Sequence, residues 1–194
     1  MKVGIESKLR FGVSFLEKEG DGLPLICMPG WPLGPEMYRK MMEYSQDGLR
    51  ILTLGYPGWG SDMIGDRLSY DTLGSWLIRF MDSMNIDKAN MLGVSFGAAF
   101  SINFAINHPN RAQSVIASAP PILFSGHLSK KQKLAVHIYK KSPRKLRDWF
   151  QNALKEEHPW ARSIVFKQVD SLDDPNALAI FKECAKSNPK AVEE

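Results

Sequence analysis

The sequence has little of what would place it outside the ordinary globular classes. It has two cysteines, Cys27 and Cys184, too few for a disulfide framework. Cys27 lies in an apolar run and reads as a buried thiol, so a reducing cytoplasm is the expected location. Its four histidines form no cluster with cysteine at metal-ligand spacing, so neither a metal nor another cofactor is expected. No apolar run approaches the ~18 residues of a membrane span. The first twenty residues carry charges throughout and lack the apolar centre of a secretory signal. Internal repeats and low-complexity tracts are absent as well. What is left is a chain of 194 residues, 44% hydrophobic and 24% charged, long enough for one domain with a sizeable core.

Charge is unevenly placed. Residues 1–124 hold 11 Lys/Arg against 12 Asp/Glu, and residues 125–194 hold 14 against 9. Eight of the later positive charges fall between residues 130 and 147, ahead of the first acid, Asp148. No nucleic-acid-binding motif accompanies them, so the stretch reads as a solvated helix face and no nucleic-acid partner is expected. A surface for an anionic partner or membrane is the alternative.

Residues 8–17 alternate loosely and read as a strand, paired with residues 1–6. After a turn at Gly20-Asp21-Gly22, residues 23–28 form a continuous apolar run, the pattern of a strand buried on both faces. Pro29-Gly30-Trp31-Pro32 breaks it. Residues 36–44 have helical spacing, with Met37, Met41 and Tyr44 on one side. Residues 50–54 are a further short strand, followed by a loop at Pro57-Gly58-Trp59-Gly60-Ser61-Asp62. Residues 71–84 form an amphipathic helix with Leu73, Trp76, Leu77 and Phe80 inward. An apolar strand over 89–92, an apolar helix ending before Pro109, and a strand over 112–119 follow. This alternation predicts an α/β fold, a mostly parallel sheet flanked by helices, with its site at the carboxyl ends of the strands.

After Ser125 no strand is evident. Helices are expected over 129–141, from Ser142-Pro143 to about 157, and from Asp174-Pro175 to about 187. Residues 1–124 therefore read as an α/β core and residues 125–194 as a helical cap or lid over the site.

The chemical signal is Gly93-Val94-Ser95-Phe96-Gly97, set between the strand over 89–92 and the helix that follows. Gly-x-Ser-x-Gly in a strand–turn–helix setting is the nucleophile elbow. The serine sits on a sharp, strained turn, and the positions two before and two after must lack bulk.

Three motifs in order, Pro29-Gly30-Trp31, Tyr56-Pro57-Gly58-Trp59-Gly60-Ser61-Asp62 and the elbow, together with His108-Pro109-Asn110-Arg111-Ala112, resemble the α/β-hydrolase superfamily, in its serine-nucleophile branch with a helical lid. The resemblance covers residues 8–124. It implies that Ser95 attacks a carbonyl and that the acyl-enzyme is hydrolysed by water. It also implies an oxyanion hole from the backbone N–H groups of Phe96 and Trp31, each donor worth about 3–4 kcal/mol in the transition state. Trp31 and Trp59 would line the acyl pocket, with core packing the alternative for Trp59. The substrate class is then a small carboxylic ester, thioester or similar acyl compound.

Two positions depart from the pattern. Pro29 stands where the family usually has histidine, and Gly55 where the second loop commonly begins with aspartate. The triad acid and histidine of that family follow later strands, and no residue before Glu194 is identified for either. His108 ends the elbow helix on the side away from the site, His137 and His158 fall in cap helices, and His127 stands at the cap entrance. Asp173 and Asp174 read as a helix start. The fold expected is therefore a partial α/β-hydrolase core with a cap. A non-catalytic, ligand-binding relic is the alternative to a hydrolase. The strand over 112–119 is expected at an exposed apolar sheet edge through which the chain self-associates.

Overall fold

A computed structural model describes residues 5–31, 33–57 and 69–120, with individual positions between Leu134 and Asn152. In chain order it contains strands β1 (Glu6–Arg10), β2 (Val13–Lys18) and β3 (Leu25–Met28), then a 3₁₀ turn (Pro35–Tyr38) that leads into helix α1 (Arg39–Tyr44). Strand β4 (Ile51–Leu54), helix α2 (Tyr70–Ser83), strand β5 (Ala89–Val94), helix α3 (Phe96–Asn107) and strand β6 (Ala112–Ser118) follow.

The six strands form one sheet in the order β1-β2-β4-β3-β5-β6. The β1–β2 and β2–β4 pairs are antiparallel, and β3–β4, β3–β5 and β5–β6 are parallel. From β3 the chain moves to one neighbour, β4, and then crosses to the other, β5. That reversal opens a crevice at the carboxyl ends of β3 and β5, where open α/β sheets place their ligands. Met28 pairs with Gly93 across β3–β5, so the segment after β3 and the turn after β5 leave the sheet side by side.

The apolar residues alternate across the two faces with the period of two that a pleated strand imposes. Val13, Phe15, Ile26, Met28, Leu52, Leu54 and Met91 join the larger cluster under α2 and α3, whereas Leu16, Cys27 and Ile51 join a smaller one with Tyr38 and Met42. Helix α2 buries Leu73, Trp76, Leu77 and Phe80, as its spacing predicts. Each such side chain contributes roughly 1.5–3 kcal/mol. A capping box closes its start, with Ser69 and Thr72 each bonding the other's backbone N–H.

Two segments differ from the sequence reading. Residues 8–17 are not one strand but most of a hairpin. Phe11 and Gly12 both take positive φ, 48° and 70°, and Arg10 pairs with Val13 across this two-residue turn. That is the twist-matched hairpin geometry usually signalled by Asn-Gly, and phenylalanine in its first position hid it. The expected inward face of α1 is also shifted. Tyr38 and Met42 are buried, Met37 and Met41 pack partly against the same cluster, and Tyr44 is 82% exposed. The tighter 3₁₀ turn that precedes α1 has three residues per turn and changes the rotational phase.

Beyond residue 120, Leu134, His137, Ile138 and Lys141 are helical, Ser142 is not, and Arg144 and Lys145 are helical again. That break coincides with the Ser142-Pro143 helix start read from the sequence. Asp148 and Asn152 are helical too; the other residues of the expected cap, His127, His158, Asp173 and Asp174 included, lie outside the described residues. Among the described residues no helix is long and apolar enough to cross a membrane.

Candidate active site

Ser95 lies between the last residue of β5 and the first of α3, with φ 53° and ψ −117°. Such a conformation costs on the order of 1–3 kcal/mol for a residue with a side chain. The surroundings hold it there. The Ser95 N–H donates to the Ser118 carbonyl at the end of β6 (2.9 Å), and its own carbonyl accepts from the Ala98 and Ala99 N–H groups. The turn is so sharp that β5 and α3 touch through their backbones. A Cβ at Gly93 would lie 2.2 Å from the Gly97 carbonyl oxygen, and one at Gly97 would lie 2.0 Å from the Met28 carbonyl oxygen. The two glycines read from the sequence are therefore steric necessities. Ser95 itself is only half-buried.

The segment after β3 reaches the same point. A Cβ at Gly30 would stand 3.3 Å from the Ser95 Cβ, so the Gly30 backbone passes directly beside the serine. The Leu33 N–H donates to the Gly30 carbonyl (2.7 Å), closing a turn around Trp31. Trp31 is half-buried and packs against the main core cluster. Phe96, the residue after Ser95, is buried between two tyrosine rings. It stacks on Tyr70 with centroids 5.6 Å apart and meets Tyr56 edge-on at 5.2 Å. As the first residue of α3, its N–H has no acceptor within the helix and lies at the positive end of the dipole.

Ser95, Phe96 and Trp31 are thus brought to one edge of the sheet, whereas Trp59 lies outside the described residues. Two histidines are among the described residues. His108 follows the last turn of α3, about 20 Å from Ser95 at the helical rise of 1.5 Å per residue, and its ring packs on Phe104 and beside Gly74. His137 is exposed on a helix. Among the described residues no group of His, Cys, Asp and Glu is placed to hold a metal.

Both departures from the expected motifs have a local explanation. The Gly55 N–H donates to the Ser14 carbonyl (2.8 Å), and a Cβ at Gly55 would stand 3.1 Å from that oxygen and 3.3 Å from the Ser14 Oγ. A side chain at this position would crowd strand β2. Pro29 has no N–H, and the segment is held from its carbonyl side instead. The Tyr38 hydroxyl donates to the Met28 carbonyl (2.9 Å), and the Tyr56 hydroxyl to the Pro29 carbonyl (2.6 Å), both buried. Sequence reasoning did not single out either hydroxyl. The available signal was a tyrosine immediately before Pro57 in the second motif. Burial pushes the Tyr38 phenol well up, with nearby Cys27 adding to it, and burial alone pushes the Cys27 thiol up. Tyr38 therefore remains a donor, and Cys27 is an unreactive core thiol.

Residues 24–166 match the profile of the alpha/beta hydrolase fold family. Over 96 residues the chain is 30% identical to the AB hydrolase superfamily protein YisY of Bacillus subtilis, which takes in 48% of this chain and 36% of that protein. Over 101 residues it is 27% identical to a pimeloyl-[acyl-carrier protein] methyl ester esterase of Legionella pneumophila, 52% of this chain and 39% of the relative. The matches thus span little more than a third of these curated relatives. A thermophilic esterase from Thermogutta terrifontis superposes with a TM-score of 0.75 at 17% identity, over 92% of this chain and 68% of the esterase. Because the family profile takes in well over half of the sequence and the strand–elbow–helix geometry agrees with it, the chain belongs to the α/β-hydrolase family.

Proposed function

We propose that the chain is the nucleophile-bearing part of a cytoplasmic serine hydrolase acting on a carboxylic ester, thioester or related acyl compound. The strained Ser95 carries this reading, held between two glycines with the Gly30 backbone beside it. The hydroxyl oxygen attacks the substrate carbonyl. The oxyanion that forms is held by the backbone N–H groups of Phe96 and Trp31; its collapse breaks the bond to the alcohol or thiol, which departs with the proton given up by the Ser95 hydroxyl, and water hydrolyses the remaining acyl-serine to the free acid and Ser95. On this reading Trp31, which is half-buried, lines the acyl side of the pocket, and Trp59, outside the described residues, is assigned to it from its motif alone. The same reading assigns residues 1–124 to the core and residues 125–194 to a cap. The likeness to a relative named as a methyl ester esterase supports a carboxylic ester as the first substrate class to assay. The buried free thiol of Cys27 fits a reducing compartment.

The test is hydrolysis of p-nitrophenyl acetate and butyrate by the full-length protein and its Ser95→Ala variant. The variant is expected to lose at least about 10³-fold in kcat. Equal rates would refute the assignment of Ser95. The second reading, a non-catalytic ligand-binding member, is favoured by one observation: His108, the histidine nearest to Ser95 in sequence, sits at the opposite end of α3. It predicts that the wild-type protein also fails to hydrolyse either ester.

A further inference from the structure

We propose that Tyr56 is the positioning residue for the oxyanion hole, tying its two halves together; this rests on the reading of Ser95 as nucleophile. Strand β3 ends at Met28, and the next two carbonyls, of Met28 and Pro29, press against the start of α3. A Cβ at Gly97 would meet them at 2.0 and 2.7 Å. Buried carbonyls in that position need donors. Tyr38 serves the first and Tyr56 the second.

The two bonds have different consequences. The Met28 carbonyl belongs to the peptide that ends at the Pro29 nitrogen, which carries no hydrogen. Holding it fixes the exit of β3. The Pro29 carbonyl belongs to the peptide that ends at Gly30. A trans peptide is planar, so holding that oxygen restrains the Pro29–Gly30 peptide plane, the one immediately before the peptide that carries the Trp31 N–H. The Gly30 backbone runs beside Ser95, and the next N–H along the chain is that of Trp31. At the same time, the Tyr56 ring lies 5.2 Å from the Phe96 ring, edge to face, and Phe96 supplies the other proposed donor. One side chain therefore bonds the backbone of the first segment, at Pro29, and packs on the side chain of the second, at Phe96. Its own backbone is anchored through Gly55 to β2.

The experiment compares Tyr56→Phe and Tyr38→Phe in the full-length protein with p-nitrophenyl butyrate. Loss of the Tyr56 hydroxyl loosens the segment without deleting a donor. Since a misplacement of about 1 Å costs up to ~10²-fold, Tyr56→Phe is expected to lower kcat about 10- to 100-fold. KM should change by less than about threefold, because only the transition state carries the oxyanion. The inhibition constant of an alkyl boronic acid should rise as far as kcat/KM falls. Tyr38→Phe removes a comparable buried bond one peptide further from the Trp31 N–H and is expected to lower kcat clearly less than Tyr56→Phe does.

Placing 4-aminophenylalanine at position 56, which returns a donor to the same place, should restore kcat. If Tyr56→Phe does not fold, 4-methylphenylalanine fills the volume without a donor and takes its part in the comparison. The proposal is overturned if kcat is unchanged when the donor is lost, or if Tyr38→Phe and Tyr56→Phe lose activity equally. A Ser95→Ala variant run alongside separates the failures. If it retains activity, the reading of the site itself falls, and if it is inactive while Tyr56→Phe is not, only this inference falls.

Discussion

A single methyl group at Gly97 should disrupt both the stability and the reactivity of this protein. The Cβ of Gly97→Ala would lie 2.0 Å from the Met28 carbonyl oxygen, 2.6 Å from the Met28 carbonyl carbon and 2.7 Å from the Pro29 carbonyl oxygen. Ordinary contact begins near 3.4 Å, so a shift of at least about 1.4 Å is required. All three atoms are backbone, and rotating a side chain cannot relieve them. Either α3 or the exit of β3 must move, and both carry the proposed donors. Overpacking of this kind costs about 3 kcal/mol, offset by up to ~1 kcal/mol from the better helix propensity of alanine. A net loss of about 2–3 kcal/mol is a large share of a total stability of roughly 5–15 kcal/mol. Gly74→Ala is the control. Its Cβ would meet the His108 Nε2 at 3.0 Å, the tip of a side chain that can turn away, so its net change should stay within about 1 kcal/mol. Urea unfolding followed by tryptophan fluorescence measures both. If Gly97→Ala and Gly74→Ala unfold at the same midpoint, or if Gly97→Ala hydrolyses p-nitrophenyl acetate as fast as wild type, the account of the elbow as a backbone-to-backbone contact is refuted.

Three other outcomes follow from the structure. Lys18, 2% exposed on β2, donates through Nζ to the Ser45 carbonyl, the Ser45 hydroxyl and the Gln46 carbonyl just past α1. Lys18→Ala leaves those acceptors without their donor and should cost about 2–4 kcal/mol in a urea titration, whereas a loss under ~0.5 kcal/mol would contradict it. Burial raises the Cys27 pKa above its ordinary value of 9.0, so above about pH 9 the unfolded chain releases a proton that the folded one keeps. Stability from this residue is full below pH 9 and falls by up to ~1.4 kcal/mol per pH unit above it. Cys27→Ala should show a shallower alkaline loss than wild type between pH 9 and 11, and identical slopes would count against the buried thiol. Among the described residues β6 is the last strand of the sheet, with Ile116 58% exposed and no charge or proline along Ala112–Ser118. The 194-residue chain is therefore expected to self-associate in light scattering, and Ile116→Lys to reduce it. A monodisperse monomer at high concentration contradicts that expectation.

What the sequence revealed and what it hid divide by the range of the interactions. The elbow was legible because its requirement is local: two small residues flank one strained serine within five positions. Helix α2 was legible because Leu73, Trp76, Leu77 and Phe80 keep one helical period. The β1–β2 hairpin was not, because its turn uses Phe11 at a positive φ, where the usual turn residues are absent. Tyr44 was assigned inward because the spacing alone does not show that a 3₁₀ turn precedes α1. The supports of the candidate site were least legible. Tyr56 reaches Pro29 across 27 residues and Tyr38 reaches Met28 across 10, and only the pairing of β3 with β4 and β5 brings them together. The same holds for Gly55, whose missing side chain is explained by Ser14 on a neighbouring strand.

The central claim is that Ser95 is a nucleophile facing two backbone donors. The most direct measurement is to treat the full-length protein with an alkyl fluorophosphonate and map the adduct by peptide mass spectrometry. The account predicts one adduct, on Ser95, absent from Ser95→Ala and formed more slowly in Gly97→Ala. An adduct on a different residue, or none in a folded wild-type sample, would contradict it.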